Sequence, residues 1–352
     1  MFSEKDEDVA EPSVDRAPQI NMADVARHAG VSTATVSRAL RGLPGVSEPT
    51  RQRIKELADE LAYVVSPEAS RLSGGGTGRV ALVVPSINRW FYASILAGIE
   101  AVLRRADIDV LIYHVETAAD RSRFFERLPA RRKVDAVVLI ALPVTEAELR
   151  RLELMGVSVV VAGGTTKDYP NVCIDDAEVA GKAVDHLIRL GHRSIAMIRT
   201  TDLDGTIWAP ERARTRGFQS SLARAGLDCR EEWLVTVPWG IDGGARAMDQ
   251  LLSLEQMPTA VFAYSDEVAM GALRSLRRAG IDVPGQMSII GVDDHPLAEL
   301  SDLTTVHQSV EMQGTFAGGI VLDQMQGRVP AEPHVVVPTQ LVVRGSTGPP
   351  PP

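Results

Sequence analysis

"DVARHAGVSTATVSRAL", residues 24–40, carries two helical patterns with almost no chain between them. Apolar residues recur at Val25, Ala26 and Ala29, then at Val31, Val36, Ala39 and Leu40, the spacing of two amphipathic faces. Asn21 is placed to cap the first helix, and Gly30 supplies the positive φ that ends it. Ser32 is placed to cap a second helix through Leu40 after a turn of about three residues, as a helix-turn-helix requires. A third helix, residues 48–61, follows "GLPGVS" with Ile54, Leu57 and Leu61 on its core face. In such a unit the second helix enters the major groove with its N-terminal residues at base edges. Thr33, Ala34, Thr35 and Ser37 are small enough to let the backbone approach DNA, and Arg38 reaches a guanine O6/N7 pair or a phosphate. A three-helix structural subdomain without a ligand fits the same pattern.

Charge alone does not point to DNA. The chain of 352 residues carries a net charge of −9, which argues against a protein that coats nucleic acid but leaves room for one small DNA-binding domain. Residues 1–18 hold six acidic residues against Lys5 and Arg16, with two prolines and few apolar residues, so a disordered acidic tail is expected. That start has no apolar stretch typical of an export signal, and no run approaches the roughly 20 apolar residues of a membrane span. Two cysteines, Cys173 and Cys229, make no disulfide framework, so a reducing cytoplasm is expected.

Longer motifs sharpen the reading. "MADVARHAGVSTATVSRALRGLPGVSEPTRQRIKELADELAYV" closely resembles the N-terminal domain of the LacI/GalR family of bacterial transcription regulators, in "DVA..AGVS..TVSR.L" and "VS..TR..I...A..L.Y" at their proper spacing. The resemblance implies a DNA-binding domain over residues 19–64. It implies that Thr33, Ala34 and Arg38 read bases while Ser32, Thr35 and Ser37 hold phosphates, which position the helix without specifying sequence. Residues 65–78, "VSPEASRLSGGGTG", then correspond to a hinge helix and linker. Ser66 is a plausible N-cap and Pro67 suits the first helical position. By the same resemblance the hinge orders when two protomers meet on DNA, and Leu72 wedges into the minor groove. Val65-Ser66 stands where the family commonly has Pro-Asn. "GGGTG" precedes a strand, whereas a phosphate cradle follows one, so it reads as linker.

From Arg79 the chain alternates strand and helix. "RVALVVP", "DVLIYHV", "DAVVLIAL" and "SVVVAGG" form a first series. A second begins near "NVCIDD" and runs through "SIAMIRT", "WLVTVP", "AVFAYS" and "SIIGVDD", with helices near 177–190, 210–225, 242–252 and 266–279. Two such series mean two doubly wound parallel sheets, whose strand carboxyl ends face a shared cleft. The last stretch looks like the crossover return of periplasmic-binding-protein-like cores, making both subdomains discontinuous over residues 79–346. Residues 347–352 read as a disordered tail.

Residues at the strand ends suggest a small-molecule effector site. Arg214 offers a bidentate grip on paired hydroxyls or a carboxylate, and Asp293 accepts from two sugar hydroxyls. Trp239 offers a flat face for a pyranose ring, Ser265 and Asp266 close "AVFAYS", and Asn88 and Phe91 lie on the "VPSINRWFY" loop of the other subdomain. The family resemblance implies that the arginine and the aspartate are effector contacts. Bland alternatives remain: Asp266 as a helix N-cap, Asp294 as a turn former, Trp239 as core. No spacing of His, Cys, Asp or Glu suggests a metal or catalytic set, and Cys173 reads as strand packing. No cofactor and no enzyme activity are expected. The expectation is a cytoplasmic, homodimeric repressor that binds a near-palindromic operator under control of a sugar. The rivals are a regulator responding to a purine or other non-sugar ligand, and a transporter's solute-binding protein, which would need an export signal and no helix-turn-helix.

Overall fold

Gly30 sits at φ +67° and ψ 30°, and its N–H donates to the carbonyls of Ala26 and Arg27, closing α1 (Met22–Ala29). The computed structural model describes residues 20–40, 42–61, 63, 76–201 and 209–352. Two further helices, α2 (Thr33–Leu40) and α3 (Glu48–Glu60), complete the first unit. The Asn21 side chain accepts from the N–H groups of Ala23 and Asp24, while the Asp24 carboxylate accepts from Asn21 N–H at 3.0 Å, a reciprocal cap. Ser32 Oγ accepts from Thr35 N–H at 3.2 Å, so the cap of α2 is the residue that the sequence suggests. Val25, Val36, Ala39, Ile54 and Ala58 are buried together. Leu57 and Leu61 pack on that cluster half-buried. The acidic tail, the hinge at Pro67 and the Leu72 wedge lie outside the described residues.

The second unit, from Gly76 to Pro352, is built on two six-stranded sheets. The first contains β1 (Arg79–Val84), β2 (Asp109–His114), β3 (Ala136–Ile140), β4 (Ser158–Ala162), β5 (Asn171–Cys173) and β11 (His334–Val336), in the order β11-β5-β4-β3-β1-β2 and parallel throughout. The second holds β6 (Ile195–Thr201), β7 (Leu234–Pro238), β8 (Ala260–Ala263), β9 (Ser288–Asp293), β10 (Thr304–Gln308) and β12 (Thr339–Val342), ordered β12-β10-β9-β8-β6-β7. Its edge strand β12 runs antiparallel to β10, a departure from an all-parallel sheet that follows from the return of the chain. The "NVC" strand, expected to open the second series, instead pairs with β4 and β11 in the first sheet. The chain therefore changes sheets three times: after β5, after β10, and between β11 and β12.

Helices α4 (Trp90–Arg105), α5 (Ala118–Arg127) and α6 (Glu146–Glu153) belong to the first sheet, and α7 (Asp176–Arg189), α8 (Ala209–Arg224), α9 (Ile241–Leu252), α10 (Asp266–Ala279) and α11 (Pro296–Leu300) to the second. The crossover helix α12 (Val310–Met325) packs closely on α4. Near-continuous apolar strands such as Val80–Val84 follow from burial on both faces. One cluster joins Leu82, Ile95 and Val138 of the first sheet's side to Phe218, Phe262 and Ile290 of the second's, so the two subdomains share a core.

The end of the chain corrects an expectation. Thr347 Oγ1 lies 3.0 Å from both His186 Nε2 and Thr304 Oγ1, and Gly348 N–H donates to Ser288 Oγ at 3.0 Å. The ring of fully buried His192 reaches Gly348 O at 2.9 Å. "GSTG" has no apolar period, yet buried polar groups of the second sheet need its partners, which orders it.

Candidate functional site

The first surface is α2. Ser32, Thr33, Ala34 and Arg38 are exposed, and Thr35 and Ser37 partly so, while Val36 and Ala39 turn inward. The helix therefore presents its small polar side chains and one guanidinium on the face away from its core. Its C-terminal carbonyls are held from α3. Arg51 donates from Nη1 to Arg38 O at 3.3 Å and Ala39 O at 3.0 Å, and from Nη2 to Leu43 O at 2.9 Å. The Arg38 and Ala39 carbonyls also accept from the N–H groups of Leu43 and Gly42, so Arg51 adds a second donor to each and ties the end of α2 to α3.

The second is a cleft at the carboxyl ends of both sheets, with about 800 Å³ of free space including its open mouth. Arg214, Trp239, Ser265, Asp293 and Phe91 line it, so five of the seven side chains named from sequence converge, and Asp266 and Asn88 stay outside. Asn88 is exposed, and its Oδ1 accepts from Ser86 Oγ at 2.7 Å, a local turn bond that draws it from the cleft. Ser265 lines the cleft but its hydroxyl accepts from Val268 N–H, so Ser265, and not Asp266, is the N-cap of α10. Asp266 accepts from Thr305 Oγ1 at 2.7 Å and from His295 N–H at 2.8 Å.

Arg214 is buried and already partnered. Its Nε donates to Asp176 Oδ1 at 2.8 Å, its Nη1 to Tyr264 O, and its guanidinium lies 4.4 Å from the Tyr264 ring centre. Burial works against its charge, but Asp176, Tyr264 and Asp293 outweigh that and hold it protonated. Asp293 is buried too, and burial lifts its carboxyl to about 6 despite Arg214 and Gln308. Gln308 Nε2 donates to Asp293 Oδ1 at 2.5 Å, and Gln313 Nε2 donates to Gln308 Oε1 at 2.9 Å, a buried relay from β9 to α12. Burial raises the Cys173 thiol to about 11, so it lines the cleft as a neutral group. The two pairs of adjacent acids diverge: Asp175 caps α7 and Asp294 pairs with Arg344 and His307, while Asp176 and Asp293 face the cleft. Asp176, Gln308 and Gln313 escaped sequence reasoning. The acidic pair after β5 was the one signal for the first; nothing local marks the two glutamines.

Positively charged Arg214 is thus neutralised by protein. Asp293 and Glu211 add carboxylate acceptors to the cleft, Glu211 Oε1 also taking the Thr215 hydroxyl at 2.7 Å, and Trp239 adds an indole over which Arg89 lies. Such a set suits hydroxyl donors on a ring with an apolar face.

Residues 21–66 match the bacterial regulatory proteins of the lacI family, and residues 184–347 match a periplasmic binding protein-like domain. The chain is 32% identical to the HTH-type transcriptional repressor CytR of Escherichia coli strain K12, over 93% of this chain and 96% of that protein. It belongs to the LacI family. Another relative is catabolite control protein A of Priestia megaterium, 30% identical over 93% of this chain and 99% of that protein. Among solved structures, the transcriptional regulator CelR–cellobiose complex superposes with a TM-score of 0.70 at 30% identity, covering 93% of this chain and 99% of that one. As a LacI-family member the protein is a DNA-binding transcription regulator whose second unit is an effector-binding domain. Among the described residues no helix is long and apolar enough to cross a membrane.

Proposed function

We propose that this regulator is a cytoplasmic, homodimeric repressor whose hold on a near-palindromic operator changes when a neutral sugar enters the cleft. The reading rests on one observation: Asp293, Trp239 and the ion-paired Arg214 converge in one cleft between the two sheets. Asp293 and Glu211 accept ring hydroxyls, Trp239 covers the sugar's apolar face, and Phe91 closes from the first subdomain. Thr33, Ala34 and Arg38 read bases; Ser32, Thr35 and Ser37 hold phosphates, and Leu72 wedges the operator centre. One helix-turn-helix spans too few base pairs for genomic specificity, which favours a twofold pair of units. The cellobiose of the CelR complex belongs to that protein, and it supports a saccharide here by kinship. No reaction is assigned to the cleft.

A thermal-shift screen of the full chain against mono- and disaccharides and against nucleosides tests the effector. A ligand at a hundred times its dissociation constant stabilises by about 2.7 kcal/mol. A saccharide hit lost in Asp293→Asn supports the reading, and a nucleoside hit overturns the sugar. Light scattering showing a monomer at micromolar concentration, with tight operator binding retained, would remove the dimer.

A further inference from the structure

Arg89 and Trp90 are consecutive where β1 feeds α4, on the first sheet's side of the cleft, and each meets an aromatic ring of the other side. The Arg89 guanidinium carbon lies 4.0 Å from the centre of the Trp239 indole, which follows β7. The Trp90 ring centre lies 5.0 Å from that of His295, which precedes α11. Among aromatic faces the indole holds a cation best, and arginine is the cation found there more often. Both partners are only half-buried and both line the cleft, so the pair stands at its mouth. Glu267, in the first turn of α10, adds a carboxyl whose field reaches Arg89. The second subdomain thus offers Arg89 an aromatic face and an acidic neighbour.

We propose that Arg89 is a built-in occupant of the aromatic platform: without effector its guanidinium covers the Trp239 face, and a ligand ring reaches that face by displacing it. The competition rests on the reading of the cleft as the effector site; the covering of Trp239 does not. Trp90 on His295 is a second contact between the two subdomains, made by the next residue in the chain. Arg89 therefore selects effectors. A ring that contributes only stacking gains little over the cation already there, whereas one that also engages Asp293 and Glu211 gains enough to displace it.

The full chain labelled with 5-fluorotryptophan tests this without any ligand, the Trp239 signal being identified by its loss in Trp239→Phe. Relaxation of that signal by a soluble gadolinium chelate should rise at least twofold in Arg89→Ala, and less in Arg89→Lys. Trp233, beneath Arg230 at 4.7 Å, is the control and should not change. Equal relaxation of Trp239 in the wild type and Arg89→Ala would overturn the proposal, since the face would then be open with Arg89 present. For any saccharide that shifts the wild type in the thermal screen, Arg89→Ala should bind it about three- to tenfold tighter. Weaker binding would make Arg89 a ligand contact and end the competition. A screen without hits counts against the effector reading alone, because the relaxation result still decides whether Arg89 covers Trp239.

Discussion

At the scale of single residues, Arg214 differs from a side chain waiting for a ligand. Its guanidinium is bound to Asp176 and to Tyr264 O, so Arg214→Ala removes a buried charge and leaves the half-buried Asp176 carboxylate without its partner, at a cost of about 1–3 kcal/mol. That variant should lose thermal stability as well as effector response, and it cannot isolate the response. Asp293→Asn is the cleaner probe. It keeps the shape of the cleft but gives up a charged acceptor, and effector affinity should fall about 10- to 100-fold in calorimetry. Operator affinity without effector should stay unchanged in a shift assay. Arg38→Ala should do the opposite, sparing effector binding. It should weaken operator binding by about 1–3 kcal/mol and relax preference at one base pair, read by binding to a set of single-substituted operators.

Individual elements are held by contacts that their own sequence does not contain. The end of α2 is braced by Arg51 of α3, which donates to Arg38 O and Ala39 O and to Leu43 O in the turn that follows. Arg51→Ala should lower the stability of the DNA-binding unit by about 1–3 kcal/mol while leaving the unfolding of the larger unit in place, a separation visible by calorimetry. Helices α4 and α12 approach through glycine. A Cβ at Gly98 would lie 2.1 Å from Glu311 O, and one at Gly314 would lie 2.2 Å from Ile95 O. Gly98→Ala must push the crossover helix away, at about 1–3 kcal/mol for overpacking. Since α12 carries Gln313, the same shift should loosen the relay to Asp293 and weaken effector binding.

For the whole molecule, buried His192 and half-buried Glu267 set opposing pH limits. His192 is buried among Thr259, Ser288 and Gly348, and burial lowers its ring below the usual 6.5. Its contribution to stability is complete above that value and is lost as pH falls below it. Glu267 runs the other way. Burial and then Asp293 raise its carboxyl to about 7, against the pull of Arg89. Its contribution is complete below the unfolded value of 4.5 and is lost as pH rises through about 7. Glu267→Gln should therefore gain stability over the wild type as pH rises from 4.5 to about 7, then hold that difference. Denaturant unfolding at a series of pH values checks both limbs.

Features that rest on neighbours a few residues apart were legible in the chain. The caps at Asn21 and Ser32, the positive φ of Gly30 and the apolar runs of the strands report local geometry, so the three-helix unit and the alternating core were legible from them. Arg214 and Asp293 were legible as a pair because strand ends of doubly wound sheets converge. The partners they take are set by the crossovers of the folded chain. Asp176 meets Arg214 because the chain leaves the first sheet after β5 and α7 starts beside the second. Gln313 reaches Asp293 through Gln308 because α12 crosses back after β10. Asn88 lost its place in the cleft to a bond two residues away, and the final Thr347 and Gly348 were ordered by histidines more than 150 positions upstream. Periodicity encodes which side of an element is buried. The partner across that buried face is chosen by the crossovers, and these leave no local mark in the chain.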